Sequence, residues 1–381
     1  MSAVITGMGV VSALGSGVDA FASGLASGVN ACAMHEFSLF GGQKRRAPAY
    51  MAAPADAKGL IEPRKLRRMD RLIRMCAVSA RQALKQAGLD PSTFDASRLG
   101  VVFGTAYGAL GTTQEFIDSW LKNGERHASP LAFMSSVHGI IASQIALDIG
   151  AVGVNLTLAQ RDISFEAALA TAIELLEQGK ADALLVGGAD ELTSMLHEFA
   201  NHFRYVERSA VAGADPWSKR GRVVPGDGAA VLLLEREGTP RKALARVHKA
   251  RVGRWDVGPR AGALPQALAG FDIDRIDLVT TSRAGSANSA PLEAARERAL
   301  DAALGRLLPK LTHRGNFGNF PAAGALQAAA NVLMLQGQVF APLAGGKPRT
   351  DLVGALKAPR CVLHDAASMT GSHAAYVMSA I

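Results

Sequence analysis

Short apolar segments alternate with longer amphipathic segments over most of the chain. The segments that we predict to be strands are residues 4–11, 99–103, 155–159, 183–187, 226–235, 243–252, 276–281, 361–363 and 374–378. Helical periodicity fills several intervals, namely residues 18–26, 67–87, 111–122, 138–149, 165–178, 292–305 and 322–335. This alternation predicts an α/β fold in which helices cover both faces of a parallel or mixed sheet.

The length and composition indicate a globular chain with a large core. The chain has 381 residues, of which 49% are apolar, so it can form one or two closely packed domains. A basic, Gly/Pro-containing connector at residues 238–242 suggests a division into residues 1–240 and 241–381. The most apolar stretch, residues 322–335, is interrupted by Gln327 and Asn331 and is too short to insert into a membrane. The first residues do not resemble a secretory leader, so we expect a cytoplasmic location.

The cysteines and histidines give no sign of a metal or cofactor. Cys32, Cys76 and Cys361 lack metal or disulfide spacing and have apolar neighbours, which indicates reduced thiols. No histidine pair has zinc-ligand spacing with a third ligand behind it. We therefore expect no cofactor and no metal.

A net charge of +8 suggests an acidic partner without identifying one. The densest basic run contains Arg64, Lys65, Arg67, Arg68 and Arg71. We expect no nucleic-acid binding, because no nucleic-acid-binding motif accompanies the run and few aromatic residues are interleaved with it. From charge alone the run is either a solvated helix face or a docking site for an acidic protein.

Several short motifs, in order and at the right spacing, make almost the whole chain resemble the FabF-like β-ketoacyl-ACP synthases and their chain-length-factor relatives. The motifs lie at residues 5–12, 68–71, 104–105, 129–130, 187–190, 216–217, 226–229 and 322–326. The resemblance implies a thiolase-like fold, with duplicated βαβαβαββ halves in a five-layered α-β-α-β-α arrangement. It also implies that Arg64, Lys65, Arg67, Arg68 and Arg71 bind an acyl carrier protein, since the equivalent basic helix does so in the family.

The positions that carry catalysis in this family hold other residues in this chain. The family's acyl-accepting cysteine corresponds to Asp162, and its two histidines correspond to Ser282 and Gly318. His313 stands where a lysine is expected, and Met369 takes the place of an aromatic gate at the acyl pocket. A carboxylate is a poor nucleophile, and neither serine nor glycine can take the histidines' role. We therefore expect no intrinsic condensing activity.

Asp162 itself allows two interpretations. At the start of a helix an aspartate ordinarily accepts backbone N–H bonds, with Arg161 available here as a charge partner. Alternatively, Asp162 or a histidine could act as a general base. A ketosynthase-like decarboxylase is disfavoured, because such enzymes need the missing histidines.

The sequence is best interpreted as a chain-length-factor-like subunit that pairs with a cysteine-bearing ketosynthase in polyketide, aryl-polyene or fatty-acid-like chain elongation. Asn155, Leu156 and Thr157 would lie at the interface, and Phe133 and Met134 would line the acyl tunnel if they are not ordinary core residues. Two alternatives remain open: a stand-alone acyl-thioester hydrolase or acyltransferase, and a homodimeric acyl-binding or scaffold protein.

Overall fold

The computed structural model describes residues 3–38, 42–209, 211–254, 272–349, 351 and 358–381. The strands are β1 (Ala3–Ser12), β2 (Gly15–Ser16), β3 (Ala33–Ser38), β4 (Lys44–Ala49), β5 (Leu99–Gly104), β6 (Asn155–Leu158), β7 (Ala183–Asp190), β8 (Gly228–Arg236), β9 (Ala245–Arg254), β10 (Leu278–Thr281), β11 (Lys310–Leu311), β12 (Leu343–Ala344), β13 (Lys347–Pro348), β14 (Cys361–Ala367) and β15 (Ser372–Ser379). The helices are α1 (Val18–Ala26), α2 (Pro63–Leu66), α3 (Arg71–Ala87), α4 (Leu110–Asn123), α5 (Pro130–Ser135), α6 (Ile140–Ile149), α7 (Ser164–Glu177), α8 (Ser194–His202), α9 (Ala290–Leu304), α10 (Arg314–Phe317) and α11 (Gly324–Leu335).

Two sets of five strands repeat one topology. The first set has the order β6-β5-β7-β8-β1, and the second has the order β11-β10-β14-β15-β9. In each set the first two pairings are parallel and the next two are antiparallel. A short pairing between β1 and β9 joins the sets. The duplicated halves are therefore confirmed, while the boundary at 240/241 falls between β8 and β9 and stays a prediction.

The helices and the two strand sets stack in five layers. Helices α3 and α6 pack on the outer face of the first set, and α9 packs on the outer face of the second. Helices α7 and α11 lie between the sets and share one hydrophobic cluster with strands of both. All twelve residues of α11 are buried, as expected for a helix enclosed on every side. This arrangement confirms the predicted thiolase-like fold.

Two local predictions were wrong. The helix predicted over residues 67–87 begins at Arg71, because the side chain of Asp70 accepts a hydrogen bond from the Ile73 backbone N–H and caps the helix there. The sequence also predicts a turn at residues 187–190, but these residues are instead the end of β7. A Cβ atom at Gly187 would lie 2.3 Å from the Phe103 ring, so glycine here permits close packing of strands.

The parallel strands β5, β6 and β7 end at the same edge of the sheet, at Gly104, Leu158 and Asp190. In open α/β sheets this edge is where ligands bind. Among the described residues, no helix is both long and apolar enough to cross a membrane.

Candidate functional site

A tight turn connects β6 to α7 at this sheet edge. Arg161–Ile163 form a 3-10 turn, and Arg161 adopts φ 51°, which is uncommon for a residue other than glycine. The Ser164 hydroxyl accepts a hydrogen bond from the Gln160 N–H (2.9 Å) and donates to the Arg161 carbonyl (2.7 Å). These bonds fix the backbone on both sides of Asp162.

The predicted helix-capping role of Asp162 is wrong. Helix α7 begins two residues later, and Ile163 occupies its N-cap position without a side-chain hydrogen bond. The 3-10 turn intervenes, so the carboxylate of Asp162 is not at the cap position. Burial raises the pKa of Asp162, and the positive charge of Arg314 and a hydrogen bond with Ser368 partly oppose that effect. The positive charge that most affects the pKa of Asp162 is thus that of Arg314. Arg161, the expected charge partner, is exposed.

Asp162 faces a small cavity, which also contacts Ser282 and Met369. The cavity has a volume of about 30 Å³, which is enough for one or two water molecules. Ligand pockets are usually about 300–1,000 Å³. The lining residues are Asp162, Tyr205, Ser282, Ala284, Ser289, Leu292, Glu293, Arg296, Arg314, Asn319, Ala367 and Met369.

Ser282 and Met369 contribute from the second half of the fold. The Ser282 hydroxyl accepts a hydrogen bond of 3.1 Å from the Ala367 N–H and so ties the end of β10 to the end of β14. Met369 follows β14 and is 48% exposed, at a position where its side chain contacts both the cavity and solvent. Its assignment as a gate stays a prediction.

The side chain of His313 lies outside the cavity lining. Its Nδ1 accepts a hydrogen bond of 3.0 Å from the amide of Gln327, and its backbone N–H donates to the same side chain at 2.8 Å. Burial lowers the pKa of His313 to about 4, so the ring is neutral and carries its proton on Nε2. His313 therefore supplies no positive charge in place of the expected lysine.

Gly318 has no space for a side chain. Its φ is 81°, and a Cβ atom built there would lie 2.8 Å from the side chain of Tyr50. Tyr50 is fixed in place because its hydroxyl donates to the Gly315 carbonyl (2.8 Å) and accepts from the Ala214 N–H (3.0 Å). The tyrosine ring thus excludes a histidine at this position.

A cluster of buried charges surrounds the cavity, and most of its members were not predicted from the sequence. The guanidinium of Arg296 lies 2.7 Å from Asp365, and His373 Nε2 lies 2.6 Å from the other oxygen of that carboxylate. Burial alone would raise the pKa of Asp365, but Arg296 and His373 hold it well below its usual range. The sequence contains one signal of this cluster: Arg314 is a charged residue directly before a stretch, residues 315–346, that has no charged residue.

A chain of hydrogen bonds runs behind the cavity. Gln327 donates to Asn331 (3.0 Å), and Asn331 donates to the Thr280 hydroxyl (3.1 Å). That hydroxyl is hydrogen-bonded to His364 Nδ1 (2.9 Å), and His364 Nε2 lies 3.2 Å from a carboxylate oxygen of Glu166.

Comparison with known proteins gives the family. Residues 2–239 match the family described as "Beta-ketoacyl synthase, N-terminal domain". The chain belongs to the β-ketoacyl synthase family. It is 28% identical over 247 residues to 3-oxoacyl-(acyl-carrier-protein) synthase I, chloroplastic, of Arabidopsis thaliana, covering 61% of this chain and 50% of that enzyme. The match thus spans about half the length of this relative. The 3-oxoacyl-(acyl-carrier-protein) synthase 2 of Coxiella burnetii is 25% identical over 371 residues, covering 89% of this chain and 87% of that enzyme.

Solved structures share the ketosynthase fold over the whole chain. "The ishigamide ketosynthase/chain length factor" gives a TM-score of 0.82 at 19% identity, covering 100% of this chain and 99% of that one. "Ketosynthase (ApeO) in Complex with its Chain Length Factor (ApeC)" from Xenorhabdus doucetiae gives 0.78 at 18% identity, covering 100% and 98%. At these identities the likeness establishes the fold alone.

The predicted interface and tunnel residues of this ketosynthase-family chain are exposed. Strand β6 ends the strand order of the sheet, and its Asn155 and Leu156 are exposed while Thr157 is half-buried. On α5, Phe133 and Met134 are 58% and 66% exposed, so core packing does not account for them. Their roles at an interface and in a tunnel stay predictions.

The predicted carrier-protein residues lie on and after α2. Two of them already have acidic partners, since Lys65 pairs with Asp148 (3.0 Å) and Arg71 pairs with Asp227 through both guanidinium nitrogens. Within the described part of the chain, the exposed side chains of Arg64, Arg67 and Arg68 have no hydrogen-bond or ion-pair partner. These three remain available for an acidic partner.

Proposed function

We propose that this chain is a non-condensing, chain-length-factor-like subunit of a heterodimeric β-ketoacyl-ACP synthase. The proposal rests on one observation: Asp162, which the resemblance places at the nucleophile position, faces a cavity of only about 30 Å³. A carboxylate in that space has neither the nucleophilicity nor the room to accept an acyl group. Condensation would therefore take place on a cysteine-bearing ketosynthase partner.

The partner would pair with the edge strand β6. An edge strand presents unpaired backbone groups that another strand can complete. Apolar side chains that no part of the described chain covers are found on α4, α5, the end of α6, β6 and the connection between α6 and β6. They include Leu121, Leu131, Phe133, Met134, Leu147, Val152 and Leu156. Exposed apolar surface of this kind is typical of protein interfaces. Phe133 and Met134 would then contact the acyl or polyene chain held by the partner.

An acyl carrier protein is the proposed acidic partner. Arg64, Arg67 and Arg68 present three exposed positive charges, and such charges steer association with acidic surfaces. One related structure is described as a "type II PKS acyl-carrier protein in complex with its ketosynthase". This description concerns that complex and supports the proposal for the present chain by analogy alone.

Co-expression with a cysteine-bearing ketosynthase, followed by native mass spectrometry, tests the assembly. We expect a one-to-one heterodimer and no acyl-thioester hydrolysis by the chain alone. A stable homodimer that does not bind the ketosynthase would favour the acyl-binding or scaffold alternative. Hydrolysis of acyl-ACP or acyl-CoA that is lost in Asp162→Asn would favour the hydrolase or acyltransferase alternative.

A further inference from the structure

Charged side chains line the cavity beside Asp162, in the turn between β6 and α7. Four of the twelve residues that line the cavity are charged: Asp162, Glu293, Arg296 and Arg314. An apolar chain that entered would have to lie against these groups or displace them, and both are costly in a buried site. Charge and lack of volume therefore both oppose an acyl chain at this position.

Three of the four charged groups are held by other parts of the chain. Arg296 is ion-paired with Asp365 at 2.7 Å, and both side chains are at least nine-tenths buried. The carboxylate of Glu293 lies 3.5 Å from Arg283 and accepts a hydrogen bond from the Ala284 N–H at 3.1 Å. Asp162 is fixed by the turn that carries it. These groups cannot move aside without breaking buried ion pairs or the turn itself.

Arg314 is held differently. Its guanidinium donates to the side chain of Asn319 and to the Phe320 carbonyl, both of which are neutral. In the ranges that the structure describes, no carboxylate lies within ion-pair distance of it, and burial lowers its pKa. The nearby charges that offset this burial are Asp162, Glu166 and Glu293. Arg314 therefore lines the cavity with Asp162 and Glu293 without pairing with either, and it can be replaced without breaking an ion pair.

We propose that Arg314 acts as a plug that closes this subunit's own acyl pocket, so that an acyl chain can enter only the pocket of a partner. The inference rests on the proposed function for its biological meaning, because a sealed subunit would not compete for the substrate of the heterodimer. The claim that Arg314 keeps hydrocarbon out of the pocket behind residue 162 can be tested on the isolated chain, without a partner.

A cysteine placed at the turn reports on access. In Asp162→Cys we would compare alkylation by iodoacetamide with alkylation by N-butyl iodoacetamide, using intact mass spectrometry of the full chain. Taking the ratio of the two rates removes the effect of changes in thiol reactivity, so the ratio reports how easily the butyl chain enters. Adding Arg314→Ser, which frees space for a short alkyl chain, should raise the butyl-to-plain ratio by roughly tenfold.

Arg306→Ser in the Asp162→Cys background is the matched control. Arg306 also donates only to carbonyl groups, on the far side of the second half, and its loss should leave the ratio unchanged. Arg314→Ala serves as a second variant, and each variant is checked for cooperative thermal unfolding. The proposal is overturned if folded Arg314 variants leave the ratio unchanged, or if Asp162→Cys alone reacts with the butyl reagent as fast as with the plain reagent. Neither result would decide whether the chain forms a heterodimer, because the co-expression experiment tests that separately.

Discussion

The ring of Tyr50 occupies the space that a side chain at Gly318 would need. A Cβ atom at Gly318 would come within 2.8 Å of both Cβ and Cδ2 of Tyr50, and Tyr50 is completely buried. The absence of a histidine at position 318 is therefore part of the packing of this fold. Restoring the histidine alone would not restore the catalytic arrangement of the condensing enzymes that the chain resembles.

Gly318→Ala tests this packing, with Gly337→Ala as its matched control. Both glycines have positive φ, 81° and 89°, but a Cβ atom at Gly337 would meet nothing within 4 Å. Both variants incur the cost of the unfavourable backbone conformation, and only Gly318→Ala adds the clash. Chemical denaturation should show that Gly318→Ala destabilises the chain by about 1–3 kcal/mol more than Gly337→Ala. Equal losses of stability in the two variants would contradict this prediction and show that Tyr50 can move away from a Cβ atom at position 318 at no cost.

The stability of the chain should depend on pH through His313. Burial lowers its folded-state pKa to about 4, against about 6.5 in the unfolded chain. Between these values the unfolded state binds a proton that the folded state does not, so the free energy of unfolding decreases as pH falls from 6.5 to 4. His313 alone should lower the free energy of unfolding by about 3 kcal/mol over this pH range. Unfolding of the wild type and of His313→Asn, measured at several pH values, isolates this contribution, and parallel curves for the two proteins would contradict it.

Phe133→Ala in the complex with the ketosynthase should change the length distribution of the products. Phe133 is 58% exposed and packs on Phe116 with ring centroids 5.5 Å apart, so its removal opens space at the proposed tunnel wall. Phe199→Ala is the control, since Phe199 on α8 is similarly exposed at 60%. Mass spectrometry of the products should show a shift for Phe133→Ala alone. Identical product profiles would mean that Phe133 does not contact the growing chain.

Reversing the charge of Arg67 and Arg68 should weaken binding of an acidic acyl carrier protein. The effect should be large at low salt and small at high salt, because exposed charges are screened. Lys85→Glu with Lys180→Glu makes the same change in net charge at two exposed lysines outside this basic run. Isothermal titration across a salt series distinguishes the two double variants. Equal losses of affinity would attribute the effect to net charge rather than to this surface.

Local pattern predicted the long periodic elements well, whereas the five-layered arrangement was implied by the family resemblance. Helix α1 matched its predicted bounds of residues 18–26, and α7 differed by one residue at each end. The hairpin of β3 and β4 was missed, since its strands carry several charged residues and lack clear alternation. Tertiary contacts hold this hairpin, including the stacking of Phe37 on His197, with ring centroids 3.8 Å apart.

The candidate site was predicted only in part. The spacing of motifs located Asp162, Ser282 and Met369, which do share one cavity. It could not show that the side chain of His313 bonds to Gln327, away from the cavity, or that Arg314 projects into it. The ion pair of Arg296 and Asp365 joins residues far apart in sequence, and no local pattern encodes such a contact.

Condensation of malonyl-ACP tests the central claim most directly. We would assay the purified chain, a cysteine-bearing ketosynthase and their complex side by side, following carbon dioxide release and the elongated product. The account predicts that the chain alone forms no elongated product and that the complex condenses through the cysteine of the ketosynthase. Condensation by the chain alone, abolished in Asp162→Ala, would contradict it.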